Sequence, residues 1–442
     1  MTSPIIIKQT IKNFSKKINI SPDKSLSIRF LILASMAKGK SKALNLSNGE
    51  DVKSTIKCLK KLGISIKLNK KSCEIIGNGI NSYTYKNNLT LDAGNSGTAA
   101  RLIASTLVNS TKTIKITGDK SLKKRDMKRI INPLKEFGAK FKRNMGTLPI
   151  SMRGSNLIKP INYKELKGSA QCKSAVMIAA LSAYGITKLQ CIPSRDHTEI
   201  LYKNVLKLPI KIKKTKKFDY ISIKGKQNFK GFNYKIPGDI SSAAFPIVLT
   251  LLAKKSRITI KNVNINQTRT GLISILNLMG ASIKFKNKRI YKGEKTADIF
   301  VKSSKILKPI NCPSNLNSSA IDELILCFLV AAKAEGVSTF KDLGELNKKE
   351  SPRLNISIKL LRMMGIKVIR KGNNIKIYGK PKLDLKGNYH VKNFLKDHRI
   401  FMFSCVAALT LNGNWLIEDT ESINTSFPKF LNILKSLGAN IN

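Results

Sequence analysis

The residues able to do chemistry in this chain gather at one kind of place, the polar turns where helices start. Lys24-Ser25-Leu26-Ser27-Ile28-Arg29 offers two cations and a hydroxyl to an anion. Leu91 to Arg101 runs from a short apolar strand through a Gly-Asn-Ser-Gly turn into a helix over 98–105. Glycines at 94 and 97 leave backbone N–H groups open to a phosphate- or carboxylate-sized anion, and the helix dipole points at the same spot. Lys123-Lys124-Arg125 is expected at the start of an amphipathic helix, Ser169-Ala170-Gln171 precedes a helix of small apolar residues, and Ser194-Arg195-Asp196-His197-Thr198-Glu199 fills the turn before another amphipathic helix. Asp322-Glu323 heads an apolar helix, and Lys349-Glu350-Ser351-Pro352-Arg353 and Asp397-His398-Arg399 complete the set. Each alone has an ordinary reading: a turn, a helix cap, a solvated basic patch, or carboxylates complementing a helix dipole. Together, helix starts from two lobes aimed at a shared cleft would concentrate positive potential there, which suits a substrate with several negative groups.

What must position these turns is an internal repeat. A helix end followed by Gly and a strand recurs at 59–64, 134–139, 276–281, 361–366 and 434–439, with a degenerate copy at Leu206–Ile210. The spacing of roughly 70 to 85 residues marks a domain-building unit, not a short solenoid repeat. Each unit opens with a helix of small apolar residues, as at 30–37, 99–107, 175–183, 243–253, 324–334 and 400–411. An alternating strand follows, then an amphipathic helix ending at the Gly as C-cap, then a strand pair. The unit is β-α-β-α-β-β, and the chain is of the α/β (α+β) class. Six units make two domains of three, one over 22–236 and the other over 237–442 with 1–21. The leftover strand Ile5–Ile7 is expected to join the second domain, giving two crossovers, with Pro237-Gly238-Asp239 as the hinge turn.

Composition narrows the class of function. The 42% hydrophobic content suits a globular chain with sizeable cores, and no apolar run reaches transmembrane length. Met1 to Ser21 alternates Ile with Lys and lacks a signal-peptide core, so a cytoplasmic location is expected. Seven scattered cysteines without a CxxC pair fit a reducing compartment without structural zinc, and three dispersed histidines suggest no metal site. The net charge of +55 invites a nucleic-acid reading. Against it, the lysines are spread over every segment, the aromatics are not interleaved with them, and Lys, Asn and Ile are inflated together.

In collinear order the motifs KSLSIR at 24–29, GNSGTAAR at 94–101, KKR at 123–125, SAQ at 169–171, the Asp322 helix, KESPR at 349–353 and DHR at 397–399 resemble the 5-enolpyruvylshikimate-3-phosphate synthase family. GDKS at 118–121, SAQCK at 169–173, SRDHTE at 194–199 and NQTR at 266–269 are similar to its class II branch, many of whose members tolerate glyphosate. The resemblance implies a two-domain inverse α/β barrel that closes on shikimate 3-phosphate and phosphoenolpyruvate, with no metal or organic cofactor. It implies that Lys24, Ser25, Arg29, Ser169, Ala170, Gln171, Arg195, Asp322 and Lys349 hold shikimate 3-phosphate. Phosphoenolpyruvate would be held by Lys24, Gly97, Arg125, Gln171, Arg353 and Arg399. By the same resemblance Asp322 is the base, Glu350 protonates the enol methylene, and Lys24 assists proton transfer at the leaving phosphate. Small-molecule substrates, no nucleic acid, no membrane and a monomeric state are expected.

Departures from the family pattern fall at Pro352, where Asp is common, at Lys396, and at Phe401 in place of a small residue. Pro352 is expected to shift Arg353 slightly. Thr425 stands where class I members place a substrate-contacting Lys. Gly97 is the ordinary residue, whereas some strongly tolerant members have Ala, so glyphosate tolerance stays open. Three alternatives also remain. An enolpyruvyl transferase acting on UDP-N-acetylglucosamine usually carries a loop Cys and an Asn after the first Lys, but here Ser25 follows Lys24 and 118–126 has no Cys. A polyanion-binding module would leave the placement of Asp322 and Glu350 unexplained. An inactive homologue is suggested only by Pro352 and Phe401 flanking key positions.

Overall fold

The computed structural model describes residues 4–142 and 146–442, so the first three residues of the N-terminal stretch lie outside the described residues. Six inner helices carry the repeat: α1 (Lys24–Met36), α2 (Gly97–Thr106), α3 (Ala170–Ala180), α4 (Ile240–Leu252), α5 (Leu324–Ala332) and α6 (His398–Leu411). They are almost wholly buried, with their charged residues confined to the first two turns and small or apolar residues beyond. The outer helices are one-sided. Glu50–Lys61, for example, buries Val52, Thr55, Ile56, Cys58 and Leu59.

Five outer helices end in a glycine with positive φ, namely Gly63, Gly138, Gly280, Gly365 and Gly438. That conformation closes the helix end and turns the chain into the next strand. In the degenerate third unit the helix widens at Leu201–Val205, and Lys207 takes the left-handed position with φ of 55°. Pro209 cannot take that position, because its ring fixes φ near −65°.

In the second unit of the repeat, Leu89–Asp92 pairs parallel with Ile114–Thr117, and Ile150–Arg153 and Lys140–Phe141 add antiparallel. The third unit builds the same sheet from Asn162–Glu165, Ile186–Cys191, Asp219–Lys224 and Ile210–Lys214. Units one and four exchange their leading strands. Asn233–Lys235 pairs parallel with Lys38–Leu44, and Ser15–Asn19 pairs parallel with Arg257–Asn264. Ile5–Ile7 completes the sixth sheet, with Ile5 opposite Ile417.

The chain divides into two compact units, each with its own hydrophobic core. The first comprises Pro22–Ile236 together with Tyr291–Glu294. The second comprises the segment through Ser21, Pro237–Ile290 and Lys295–Asn442. The short piece Tyr291–Glu294 was not foreseen from the sequence. It is held by the Tyr234–Tyr291 ring contact at 5.5 Å and by a buried pair, His197 Nδ1 to Glu294 Oε1 at 2.5 Å. All seven cysteines are free and buried, and burial pushes the thiols of Cys58, Cys172 and Cys191 up to about 12. Among the described residues no single helix is long and apolar enough to cross a membrane.

Candidate active site

In the first unit α1 begins at Lys24 because Asp23 caps it, accepting the Leu26 N–H at 2.8 Å. The cap is thus Asp23, and Ser25 lies inside the first turn, its carbonyl accepting from Arg29 Nη1 at 3.2 Å. Lys24 Nζ meets Asp51 Oδ2 at 2.8 Å. Arg29 is buried, its Nε donating to Thr198 Oγ1 and its Nη2 to Ser174 Oγ, each at 3.0 Å.

Ser96 caps α2 by accepting the Ala99 N–H at 3.2 Å. Gly94 has φ of 58°, but its N–H donates to Asp92 Oδ1 at 2.8 Å, so it is not open to an anion as the sequence suggested. Gly97 has a different reason to be glycine. A Cβ there would stand 2.8 Å from Arg101 Nη1 and 3.4 Å from Arg125 Nη1. Arg125 Nη2 donates to Asn95 Oδ1 at 2.6 Å, and Arg101 hydrogen-bonds the Gln171 side-chain oxygen. Gln171 Nε2 in turn donates to Thr98 Oγ1 at 2.9 Å. Gly97, Arg125 and Gln171 therefore come together, joined by Arg101, to which sequence reasoning gave no role. The signal was there, since Arg101 lies one helical turn beyond Gly97.

Ser169 caps α3, accepting the Cys172 N–H at 3.2 Å, and Ala170 is the first helical residue. Glu165, whose carboxyl burial pushes up, accepts the Ser169 N–H at 2.9 Å and so fixes the helix start. Lys123 ends a short helix, Lys120–Lys123, with Arg125 in the turn beyond it, so the basic triplet does not begin a helix as expected. Arg195 lies in the turn between Ile186–Cys191 and the short helix His197–Ile200.

In the second unit a 117° bend separates Ser314–Ala320 from α5, and Asp322 sits at the elbow. Its Oδ1 is 3.5 Å from both Lys349 Nζ and Arg353 Nη1, and its Oδ2 is 3.9 Å from Arg399 Nη2. Arg399 Nη1 also donates to the Asp322 carbonyl at 2.8 Å. Arg353 is buried and ion-paired with Glu350. It also meets Asp397 Oδ2 at 2.8 Å, the same oxygen that accepts from Ser351 Oγ at 2.8 Å. Burial works against the charge on Arg353, but Asp397 and then Glu350 outweigh it and hold the guanidinium protonated. Burial alone would raise the Asp397 carboxyl; the Arg353 charge more than reverses that and holds it below the usual range.

Asp322, Lys349, Glu350, Arg353 and Arg399 thus form one cluster. The carboxylates at 322 and 323 stand immediately ahead of α5 and pair with side chains of other elements. Glu323 makes no side-chain cap bond, and its carboxylate is taken by Ser241 Oγ and by Arg399 Nη1, the latter at 3.5 Å. Behind it Arg269 bonds Asp239 Oδ1 at 3.1 Å and Ser241 Oγ at 2.7 Å. Sequence reasoning missed Asp51, Arg269, Glu323 and Asp397 as partners.

Pro352 stands at the cap of the helix Arg353–Met363 and makes no side-chain cap bond, yet Arg353 reaches all three carboxylates. Lys396 pairs with Glu421 at the surface, and Phe401 is wholly buried in α6. Among the described residues no group of three or more His, Cys, Asp or Glu is arranged to hold a metal ion.

The same architecture occurs in the enolpyruvyl transferase NikO from Streptomyces tendae. It has a TM-score of 0.77 over 100% of this chain and 98% of that one, and at 13% identity the likeness speaks for the fold. EPSP synthase from Acinetobacter baumannii superposes with a TM-score of 0.86 at 34% identity, over 100% of this chain and 99% of that one. The 3-phosphoshikimate 1-carboxyvinyltransferase of Ruthia magnifica is 39% identical over 446 residues, covering 100% of this chain and 99% of the relative. That of Zymomonas mobilis is 37% identical over 448 residues, covering 99% and 98%. The family profile described as EPSP synthase (3-phosphoshikimate 1-carboxyvinyltransferase) matches residues 8–434. The chain belongs to the EPSP synthase family.

Proposed function

We propose the following division of labour for the carboxyvinyl transfer of this family. The 5-hydroxyl of shikimate 3-phosphate adds to C2 of phosphoenolpyruvate while the methylene carbon gains a proton and becomes a methyl. The tetrahedral intermediate then loses a methyl proton and inorganic phosphate, leaving the enolpyruvyl ether. This requires a base at the hydroxyl, an acid at the methylene, and fixed cations for two phosphates and a carboxylate.

Asp322 accepts the hydroxyl proton, Glu350 serves the methylene carbon, and Lys24 assists at the departing phosphate. Lys24, Ser25, Arg29, Ser169, Ala170, Gln171, Arg195, Asp322 and Lys349 take shikimate 3-phosphate. Lys24, Gly97, Arg125, Gln171, Arg353 and Arg399 take phosphoenolpyruvate. The observation that carries this reading is the cluster at the α5 elbow, one carboxylate within 4 Å of three cations with a second carboxylate bound to one of them. The two compact units are the two domains of the enzyme in this reading. A reducing, cytoplasmic setting is supported by seven free, buried thiols. The enzyme is read as a monomer, which sedimentation checks.

Asp322→Ala tests the assignment. Loss of a general base removes about 10²–10⁴-fold of rate, so phosphate release should fall by that much while shikimate 3-phosphate still binds. Turnover within tenfold of the parent enzyme would remove Asp322 from the role of base.

A further inference from the structure

One buried cation in the first unit lies outside every role assigned above. Lys173, on α3, is completely buried, and its Nζ lies 2.5 Å from Glu199 Oε1, itself buried. The same Nζ donates to the Ser194 carbonyl at 3.2 Å. An adjacent residue on each chain segment continues the seam: Ser174 Oγ and Thr198 Oγ1 are 2.8 Å apart. Those two hydroxyls accept from Arg29 Nη2 and Nε, each at 3.0 Å. Lys173 therefore locks the start of the helix His197–Ile200 onto α3, sets the Thr198 hydroxyl against Arg29, and fixes the backbone one residue ahead of Arg195.

A buried ion pair is poor value as stabilisation, because desolvation offsets most of its attraction and an apolar pair would serve as well. What an apolar pair lacks is direction. The ammonium donates to the Ser194 carbonyl at 3.2 Å while its charge holds the Glu199 carboxylate in contact, so one group ties both to α3. Resting on the substrate assignment of Arg29 and Arg195, we propose that Lys173 is a positioning residue that sets both guanidinium groups for the anionic groups of shikimate 3-phosphate.

The test is Lys173→Met, close in length and without charge, with phosphate release measured against each substrate in turn. The expected result is a KM for shikimate 3-phosphate raised by about tenfold or more, with kcat and the KM for phosphoenolpyruvate changed by less than about threefold. Lys173→Met/Glu199→Gln removes the stranded carboxylate. It should recover the thermal midpoint while the raised KM persists, because Ser194 is still unclamped; it also carries the comparison if the single variant does not fold. Equal loss in both KM values, or recovery of KM along with the midpoint, would overturn the proposal and leave Lys173 a stabilising residue only. The Arg29 Nε–H resonance reads the geometry without turnover. It should move in Lys173→Met, and an unmoved signal also counts against the proposal. An inactive parent enzyme with a shifted resonance would instead count against the substrate assignment.

Discussion

Gly97 is bare because two guanidinium groups occupy its neighbourhood. An alanine methyl there would press on Arg101 Nη1 at 2.8 Å and approach Arg125 Nη1 at 3.4 Å. Both are ends of flexible side chains, so the fold should tolerate the methyl and the site should not. Gly97→Ala is expected to raise the glyphosate inhibition constant more than the KM for phosphoenolpyruvate. A misplaced methyl group is worth about 1–3 kcal/mol, or roughly 10–200-fold, in such a pocket. An unchanged inhibition constant would contradict this. At this scale the charged residues of the cluster were legible, because Asp322, Glu350, Arg353 and Arg399 stand in short motifs at helix starts. Their counter-charges were not. Lys24 meets Asp51 across 27 residues, and Arg353 meets Asp397 across 44, and no local pattern encodes such pairings.

The elements that carry the site are helix starts, and each start is held by its own chemistry. Asp397 does two jobs, accepting the Arg399 N–H at 3.0 Å and pairing with Arg353 Nε at 2.8 Å. It thereby joins the start of α6 to the helix Arg353–Met363. Breaking a buried pair by removing one charge costs about 3–5 kcal/mol, and Asp397→Asn should lose stability on that order. The pH dependence has a definite sign. The folded carboxyl lies below its unfolded value, so its contribution is complete above the unfolded value of about 3.9 and fades as pH falls toward the folded one. The stability gap between the parent enzyme and Asp397→Asn, from denaturant titrations, should hold steady from about pH 7 to about pH 5 and narrow as pH falls below about 4; a constant gap would contradict the assignment. The inner helices and their glycine ends were readable as small-residue runs and C-caps. The left-handed Lys207 and the exchanged strands Ser15–Asn19 and Asn233–Lys235 were not, since the partner of a short strand is set by packing far along the chain.

On the scale of the whole molecule the repeat explains why so few residue types serve the site. One helix-and-strand unit, used six times with four strands in four of its sheets and three in the other two, delivers the start of a buried helix each time. The 81 basic residues outnumber the 26 acidic ones and are spread over the chain, while several of the cations proposed to bind substrate are held by Asp51, Asp322, Glu350 and Asp397. The most direct test of this account is phosphate release from the purified protein given shikimate 3-phosphate and phosphoenolpyruvate, with each omitted in turn and the product weighed by mass spectrometry. The account predicts release that requires both substrates and yields the enolpyruvyl ether. Release with either substrate alone, or none with both bound, would contradict it.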